Sequence, residues 1–432
     1  MKVFHFLFTS SCGPAARALA GQVAPGDVVV VALDNSVRQQ VTQVIRKQFV
    51  EKADATPELA ALADDFKLTA PAADYAAYVD RAMDRMEIFL YEGMTLRMEG
   101  EDFRYYLTAM VVDLAARAVA SLIPGSQVVD GRSLVMSSEG GIEQEATVAR
   151  MKELPGGVVS VVAGGFGHGD AGETVALRRT GSEVTAAMIA AARGAEQLVF
   201  LVWNYDPAGI TSLSYEEAAQ RFAIGRPVYP PALYPARQNS IPVVIQDADG
   251  PVLMTISGEV AVRKEGIAGV ICSEGMDLFT IVGTGLQGTV GVASSIFGAL
   301  AARRVNIHFI SQALSEYSIT FAVAQSQTAA AEKAMQEVIA AATSPDLYYS
   351  SCPVAILSVY GGQMQDRPGV SGKVYGALGA AGVNILASSQ GGEQLSISIV
   401  VAAADAAAAE AAPSALVPEG SLSAETNGRT PA

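Results

Sequence analysis

Residue types that can bind a small polar ligand occur twice in the carboxyl-terminal part of the chain. Asn306 and Asn384 each stand in the middle of a Val-Asn-Ile triplet. Gln312 and Gln390 each end a Ser-Gln pair. A side-chain amide can accept a hydrogen bond from an ammonium group and donate one to a carboxylate, the two charged groups of a free amino acid. These repeated amides therefore indicate a paired site for a small zwitterion.

The amides belong to a longer internal repeat. Residues 291–319 read GVASSIFGALAARRVNIHFISQALSEYSI, and residues 369–397 read GVSGKVYGALGAAGVNILASSQGGEQLSI, with 13 of 29 positions identical. A solenoid needs about three or more copies. Two copies instead predict two similar small domains that pack together.

A glycine-bearing turn precedes the helix of each copy, at 285–291 and at 367–369. The free backbone N–H groups at a helix start favour an anion, and an amino-acid carboxylate is one. The alternative is that these glycines and asparagines only form tight turns. Their recurrence at the same offset favours the ligand-binding interpretation.

Strand-like and helix-like segments alternate over the first 250 residues, which is typical of an α/β layer fold. Strands are predicted at 3–8, 28–33, 127–130, 158–164, 198–203 and 241–246. Helices are predicted at 15–20, 36–52, 74–90, 105–122, 181–192 and 214–223. Ser214 and Glu217 have the spacing of a capping box at the start of the last helix. Each repeat copy reads β-α-β-β-α, the beginning of a ferredoxin-like unit.

Composition excludes several classes of protein. The chain has 432 residues, of which 50% are hydrophobic and 17% charged, as in globular proteins. Its net charge of −15 argues against a nucleic-acid partner, which would require clustered Lys and Arg. No apolar run approaches the about 18 residues of a membrane helix, and the first residues predict a strand rather than a signal peptide. The three cysteines form neither a disulfide framework nor a metal set. We therefore expect a cytoplasmic protein.

The repeat resembles the paired ACT domains of the aspartate kinase family, on the segments GLQGTVGVASSIFGALAARRVNIHFISQALSEYSITFAV and GVNILASSQGGEQLSISIVV. The resemblance implies two βαββαβ modules that bind a free amino acid, such as lysine or threonine, at the interface between copies. It also implies a homodimer or higher oligomer formed through these modules. The effector-binding residues that it implies are Asn306, Ile307, Gln312, Ser315, Asn384, Ile385 and Gln390.

The resemblance continues upstream through AGGFGHGDAGETVALRRTGSEVTAAMIAAARGAEQLVFLVWNYDPAGI. It implies an amino-acid-kinase αβα sandwich and phosphoryl transfer from ATP, with Mg²⁺, to the aspartate side chain. If the site is active, Thr9, Ser10 and Glu183 are its catalytic candidates. Asp206 and Arg226 are the corresponding candidates for binding ATP.

The phosphate-handling motif of that family is altered in this chain. The family's Lys-Phe-Gly-Gly-Thr-Ser reads His-Phe-Leu-Phe-Thr-Ser, so His5 replaces the lysine and Leu7 and Phe8 replace the glycines. A bulky side chain prevents the close backbone approach that glycine permits. Removal of one charge-stabilising group from such a site costs about 10²- to 10³-fold in rate.

The favoured prediction is therefore a catalytically impaired relative of aspartate kinase that senses amino acids, alone or as partner of an active kinase. An active, feedback-controlled aspartate kinase is the first alternative, and ATP and Mg²⁺ are expected only in that case. A small-ligand-binding protein that uses the former active-site cleft is the second. The predicted boundaries are a kinase-like domain at 1–250, ACT domains at 265–347 and 348–412, with interleaved strands allowed, and a disordered tail at 413–432. No metal site is predicted.

Overall fold

The computed structural model describes residues 1–9, 12–70, 73–96, 100–138, 141–170, 172–177, 181–207, 210–224, 227–248, 250–258, 267–342, 346–362, 364, 367–392 and 394–417. The tail predicted as disordered lies outside these residues from 418 onward. The chain forms two compact units. The first comprises 1–207, 211–215 and 225–260, and the second comprises 208–210, 216–224 and 261–432. Within the described ranges, no helix is long and apolar enough to cross a bilayer.

The first unit contains twelve strands among its described residues. In chain order they are β1 (Lys2–Phe8), β2 (Val28–Leu33), β3 (Gln127–Asp130), β4 (Ser137–Ser138), β5 (Gly141–Ile142), β6 (Ser160–Ala163), β7 (Phe166–His168), β8 (Thr174–Ala176), β9 (Gln197–Val202), β10 (Ser212–Leu213), β11 (Val243–Asp247) and β12 (Val252–Ile256). Eight of them form one sheet in the order β10-β12-β11-β9-β1-β2-β6-β3, and β4-β5 and β7-β8 form two hairpins.

Nine α-helices are described over the same part of the chain. They are α1 (Gly13–Ala20), α2 (Asn35–Ile45), α3 (Thr56–Thr69), α4 (Ala73–Leu96), α5 (Gly100–Ser121), α6 (Gln144–Lys152), α7 (Gly181–Arg193), α8 (Tyr215–Arg221) and α9 (Leu233–Gln238). Most of α8 belongs to the second unit. Phe4, Phe6 and Phe8 of β1 contribute to a core with residues of α1 to α5. Because side chains alternate along a strand, His5 points to the other face, where it meets α7.

The predicted central strands are confirmed. β2 reads VVVVAL, and all six residues are buried, as expected for a parallel strand covered on both faces. Three helices, α3, α6 and α9, were not predicted. The apolar spacing of α3 and α6 is weak, and α9 is only six residues long. Asp34, rather than Asn35 or Ser36, caps α2, since its carboxylate accepts the N–H of Val37.

The second unit contains the two repeat copies on one six-stranded sheet. Its elements are β13 (Gly269–Val282), α10 (Val292–Ala302), β14 (Phe309–Gln312), β15 (Ser318–Ala324), α11 (Thr328–Ala341), β16 (Tyr348–Tyr360), α12 (Val370–Ala380), β17 (Ile385–Gln390), β18 (Ser396–Ala402) and α13 (Ala406–Ser414). The strand order is β14-β15-β13-β16-β18-β17, and all neighbours in this sheet are antiparallel.

The two copies share the long strands β13 and β16. In the first copy, Met276 to Val282 of β13 pair with Tyr348 to Val354 of β16. In the second copy, the other halves of the same strands pair, from Gly269 opposite Tyr360 onward. Each copy therefore takes its fourth strand from the strand that begins the other copy. Each copy also has its own buried helix-side core, one around Phe279 and Phe321 and one around Leu357 and Ile399.

Candidate functional site

A surface cavity lies at the start of the second repeat helix, α12. Its volume is about 620 Å³. The lining residues come from the segment before α12, the first residues of that helix, and the end of β17 with the turn that follows. They are Met364, Arg367, Pro368, Gly369, Val370, Ser371, Gln390, Gly391, Gly392 and Gln394. Of the predicted effector residues, Gln390 lies in this cavity.

The helix start in this cavity offers backbone N–H groups. Gly369 occupies the N-cap position of α12 with a φ of 90°, and no side chain caps the helix. A left-handed φ favours glycine, and an added Cβ would meet nothing within 4 Å. The first N–H groups of an α-helix have no partner within the helix, so they can receive an anion. Ser371 and Gln390 stand 3.4 Å apart at this point, Oγ to Oε1, and add polar side chains to the same wall.

The first copy has the same helix start but a different surrounding. Gly291 caps α10 with a φ of 93°, again with no capping side chain. Here the preceding turn is tied to the β14–β15 turn: Gln287 Nε2 donates to the Ser315 carbonyl at 2.9 Å, and the Gly288 N–H donates to Glu316 Oε2 at 2.9 Å. The copies are therefore alike in backbone and different in side-chain chemistry.

The two asparagines lie away from the helix starts. α10 ends at Ala302 and β14 begins at Phe309, so Asn306 lies in the loop between them. Its N–H donates to Gln327 Oε1 at 3.0 Å, and its amide lies 3.1 Å from His308 Nε2. Asn384 is likewise exposed and immediately precedes β17.

Within one copy, the asparagine and the glutamine are at opposite ends of a strand. Ile307 and Ile385 are half-buried against the cores of their own copies. Gln312 is exposed at the end of β14, and Ser315 is exposed in the turn beyond it. The edge strands β14 and β17 meet, since Ser311 Oγ donates to the Ser388 carbonyl at 3.2 Å.

The first unit contains a second polar cluster, around His5 at the centre of β1. His5 is 2% exposed, and its Nε2 lies 3.1 Å from Ser182 Oγ at the start of α7. Burial, followed by the charge of Arg38, lowers the pKa of His5 to about 3. The ring is therefore neutral near pH 7.

Glu183 follows Ser182 in this cluster. Burial raises the pKa of Glu183 to about 7, although the Tyr229 N–H, which donates to Oε2 at 2.8 Å, and the charge of Arg38 both act to lower it. Arg38 Nε donates to the Leu33 carbonyl at the end of β2, at 2.9 Å.

Of the other candidates, Thr9 is half-buried just after β1, and Asp206 is exposed after β9. Ser10 and Arg226 lie outside the described residues.

Comparison with known proteins shows which proteins this chain is similar to. The ACT domain model matches residues 279–338 and 357–412. A bifunctional aspartokinase/homoserine dehydrogenase of Haemophilus influenzae is 30% identical over 263 residues, 56% of this chain and 32% of that protein. An aspartokinase of Thermus thermophilus is 28% identical over 291 residues, 61% of this chain and 69% of that protein. In sequence, the chain is similar to aspartokinases and matches the ACT domain model twice.

The aspartokinase fold extends over nearly the whole chain. The crystal structure of Escherichia coli aspartokinase III in complex with lysine and aspartate matches with a TM-score of 0.75 at 17% identity, covering 96% of this chain and 99% of that one. The aspartate kinase of Clostridium acetobutylicum matches with a TM-score of 0.73 at 14% identity, covering 95% and 98%. The amino-acid-kinase fold followed by ACT domains is thereby confirmed. The chain spans about a third of the length of the first bifunctional relatives, at 32% and 28%.

Sequence reasoning missed two parts of the aspartokinase-like cluster. Arg38 lies on an exposed turn of α2, and nothing in its spacing connects it with Glu183. Tyr229 contributes only its backbone N–H, which no side-chain pattern reveals. Glu183 itself was found only through the resemblance.

Proposed function

We propose that this chain is an amino-acid-responsive member of the aspartokinase family, catalytically impaired, that binds a free amino acid in the cavity at the start of α12. One observation carries the proposal: an uncapped helix start, Gly369 to Ser371, and the amide of Gln390 line one cavity. The helix start suits the carboxylate of the ligand. The amide of Gln390 can accept from its ammonium group.

A second copy of the chain is part of this proposal. The first repeat copy exposes apolar side chains beside its helix start: Val290 and Leu314 are fully exposed, and Ile310 and Tyr317 are 47% and 43% exposed. Large exposed apolar side chains that are covered by a partner are typical of protein interfaces. We infer a homodimer or higher oligomer, in the cytoplasm, in which these residues are covered.

The side chains of β1 support the proposal that catalysis is impaired. His5 is neutral, buried and held by Ser182, so it offers no cation to a phosphate group. Phe8 is 1% exposed and stacks on Phe66 with ring centroids 4.8 Å apart, which leaves no open backbone for a phosphate at that position. These residues do not fit the triphosphate of ATP, and we derive no catalytic step through it.

Calorimetric titration of the full chain with L-lysine and L-threonine tests the effector part of the proposal. Binding that Gln390→Ala weakens and Gln312→Ala leaves unchanged is expected. Absence of heat for these two amino acids, together with no thermal stabilisation by any other amino acid, would refute it.

An active aspartokinase remains the second candidate, because Glu183 keeps a carboxylate at the start of α7 and the relatives are named for that activity. ADP release with ATP, Mg²⁺ and L-aspartate distinguishes the two. Turnover above about 1 s⁻¹ would establish an active aspartokinase and overturn the proposal of impaired catalysis.

ATP-independent binding of another small molecule in the first unit would instead favour a ligand-binding role for that unit. Activation of a separate aspartokinase by this chain would identify it as a partner subunit.

A further inference from the structure

Two charged side chains of α8 are buried in the second unit. Glu217 is 4% exposed and Arg221 is 8% exposed, one helical turn apart. Glu217 Oε1 accepts the Gly362 N–H at 3.2 Å, and Arg221 Nη1 donates to the Tyr360 hydroxyl at 3.1 Å. Burial of a charge is costly unless it is hydrogen-bonded, so these contacts fix where the helix and its partners lie. The 216–224 segment lies before β13 in the chain, yet its buried side chains contact the end of β16 and the connection to α12, in the second copy.

Tyr360 and Gly362, the partners of these side chains, directly precede the residues that line the cavity. Tyr360 ends β16, and its ring packs so closely on Gly269 that a Cβ there would collide with it. Gly362 follows two residues later, and a Cβ on it would lie 3.3 Å from Glu217. The chain then turns: the Met364 N–H donates to the Gly361 carbonyl at 3.3 Å.

The same turn ends at the cavity wall. The Arg367 N–H donates to the Met364 carbonyl at 3.2 Å, and both residues line the cavity. Gly369 follows as the N-cap of α12. A single short connection, fixed at one end by Glu217, therefore contributes both the wall of the cavity and the start of the helix.

We propose that Glu217 is a positioning residue for the amino-acid cavity, and that the 216–224 segment is ordered by occupancy of that cavity. This inference rests on the proposed function for the identity of the ligand. The carboxylate holds Gly362, and Gly362 sets the position of Met364, Arg367 and the helix start. Binding is reciprocal: a ligand that favours the positioned connection also strengthens the contact of Glu217 with Gly362.

Isosteric variants separate the hydrogen bond from the volume of the side chain. Glu217→Met keeps the length of the chain but accepts no hydrogen bond, whereas Glu217→Gln keeps an acceptor for the Gly362 N–H. Glu332→Gln, half-buried on α11, is the matched control. In titrations with L-lysine and L-threonine, we expect Glu217→Met to weaken binding about tenfold, or about 1.4 kcal/mol. We expect Glu217→Gln and the control to stay within about twofold. A folded Glu217→Met protein that binds as the wild type does would overturn the inference.

Hydrogen exchange tests the same contact without a ligand. In the free protein, peptides covering 361–369 should exchange faster in Glu217→Met than in Glu217→Gln, and peptides of α11 should not change. In the wild type, a bound amino acid should slow exchange in both 361–369 and 216–224. Absence of amino-acid binding by the wild type would refute the proposed function alone. Equal exchange of 361–369 in the two variants would refute the positioning role, whether or not a ligand binds.

Discussion

The buried His5 makes the stability of the first unit depend on pH in a way that can be calculated. Its pKa is lowered from 6.5 to about 3 by burial, so between these values the unfolded chain binds a proton that the folded chain does not. The free energy of unfolding therefore carries no penalty from His5 above pH 6.5, and it decreases as the pH falls from 6.5 toward 3. Between pH 7.5 and 5.0 the loss is about 2 kcal/mol, from 1.36 kcal/mol per pH unit below 6.5.

Glu183, in the same cluster, has the opposite effect. Its pKa is raised from 4.5 to about 7, so the folded state binds the extra proton in that window. The contribution of Glu183 to the free energy of unfolding increases as the pH falls from 7 to 4.5 and amounts to about 3 kcal/mol at pH 5.0, from 1.36 kcal/mol per pH unit below 7. The contributions of His5 and Glu183 have opposite signs and partly cancel in the wild type. Variants must therefore be compared with the wild type at each pH.

Urea unfolding monitored by tryptophan fluorescence measures the free energy of unfolding of the first unit, which contains His5 and Glu183. Trp203 is the single tryptophan of the chain, and it packs edge-on against Phe6 of β1 at 5.4 Å between ring centroids. On acidification from pH 7.5 to 5.0, His5→Gln should retain about 2 kcal/mol more of its unfolding free energy than the wild type does. Glu183→Gln should lose about 3 kcal/mol more than the wild type does.

Parallel curves for His5→Gln and the wild type between pH 7.5 and 5.0 would refute the reasoning. They would mean that His5 takes up a proton in the folded state. The imidazole would then be available as a cation for a phosphate group, which would contradict the proposal that His5 impairs the kinase site.

Three further expectations follow from the glycines and amides of the repeat. Gly369→Ala should cost about 1 kcal/mol of unfolding free energy, because its φ of 90° strains any residue with a Cβ although space is open there, and it should also weaken amino-acid binding measured by calorimetry. Gly269→Ala should lower the free energy of unfolding by about 2 kcal/mol or more, since its Cβ collides with the buried ring of Tyr360. Gly379→Ala, in open space within α12, should instead raise it by about 0.5–1 kcal/mol, and thermal unfolding measures both changes. Gln390→Ala should reduce amino-acid affinity at least about threefold while leaving the melting temperature within about 1 °C, because its side chain is exposed and removes no core contact.

The sequence predicted the strands and turns that hydrophobic patterning and local glycine signals determine. β2 at Val28–Leu33 and β3 at Gln127–Asp130 have the bounds that were predicted for them. The glycines before α10 and α12 were expected at turns, and both have left-handed backbone.

Contacts between distant segments were not predictable in the same way. The sharing of β13 and β16 depends on long antiparallel pairing, whose register is set by tertiary packing and by the irregularity between Ser273 and Met276. Glu217 carried a local signal as a capping residue, but the same carboxylate contacts Gly362 across 145 positions. A local motif therefore identified the residue without identifying its partner.

The positions of the repeated amides bear on how many copies of the module the proposed effector site requires. Asn384 immediately precedes β17 and Gln390 ends it, six residues later, which corresponds to roughly 20 Å at about 3.3 Å per residue. A single amino acid cannot contact both. The helix start of a copy lies at the glutamine end, because α10 and α12 run back toward the asparagine end before the next strand begins. An effector held at a helix start can therefore meet an asparagine only from another copy, either across the meeting edges of β14 and β17 or from a second chain. Duplication of the module supplies that second copy, and a single ACT module would carry the two halves of the site without joining them.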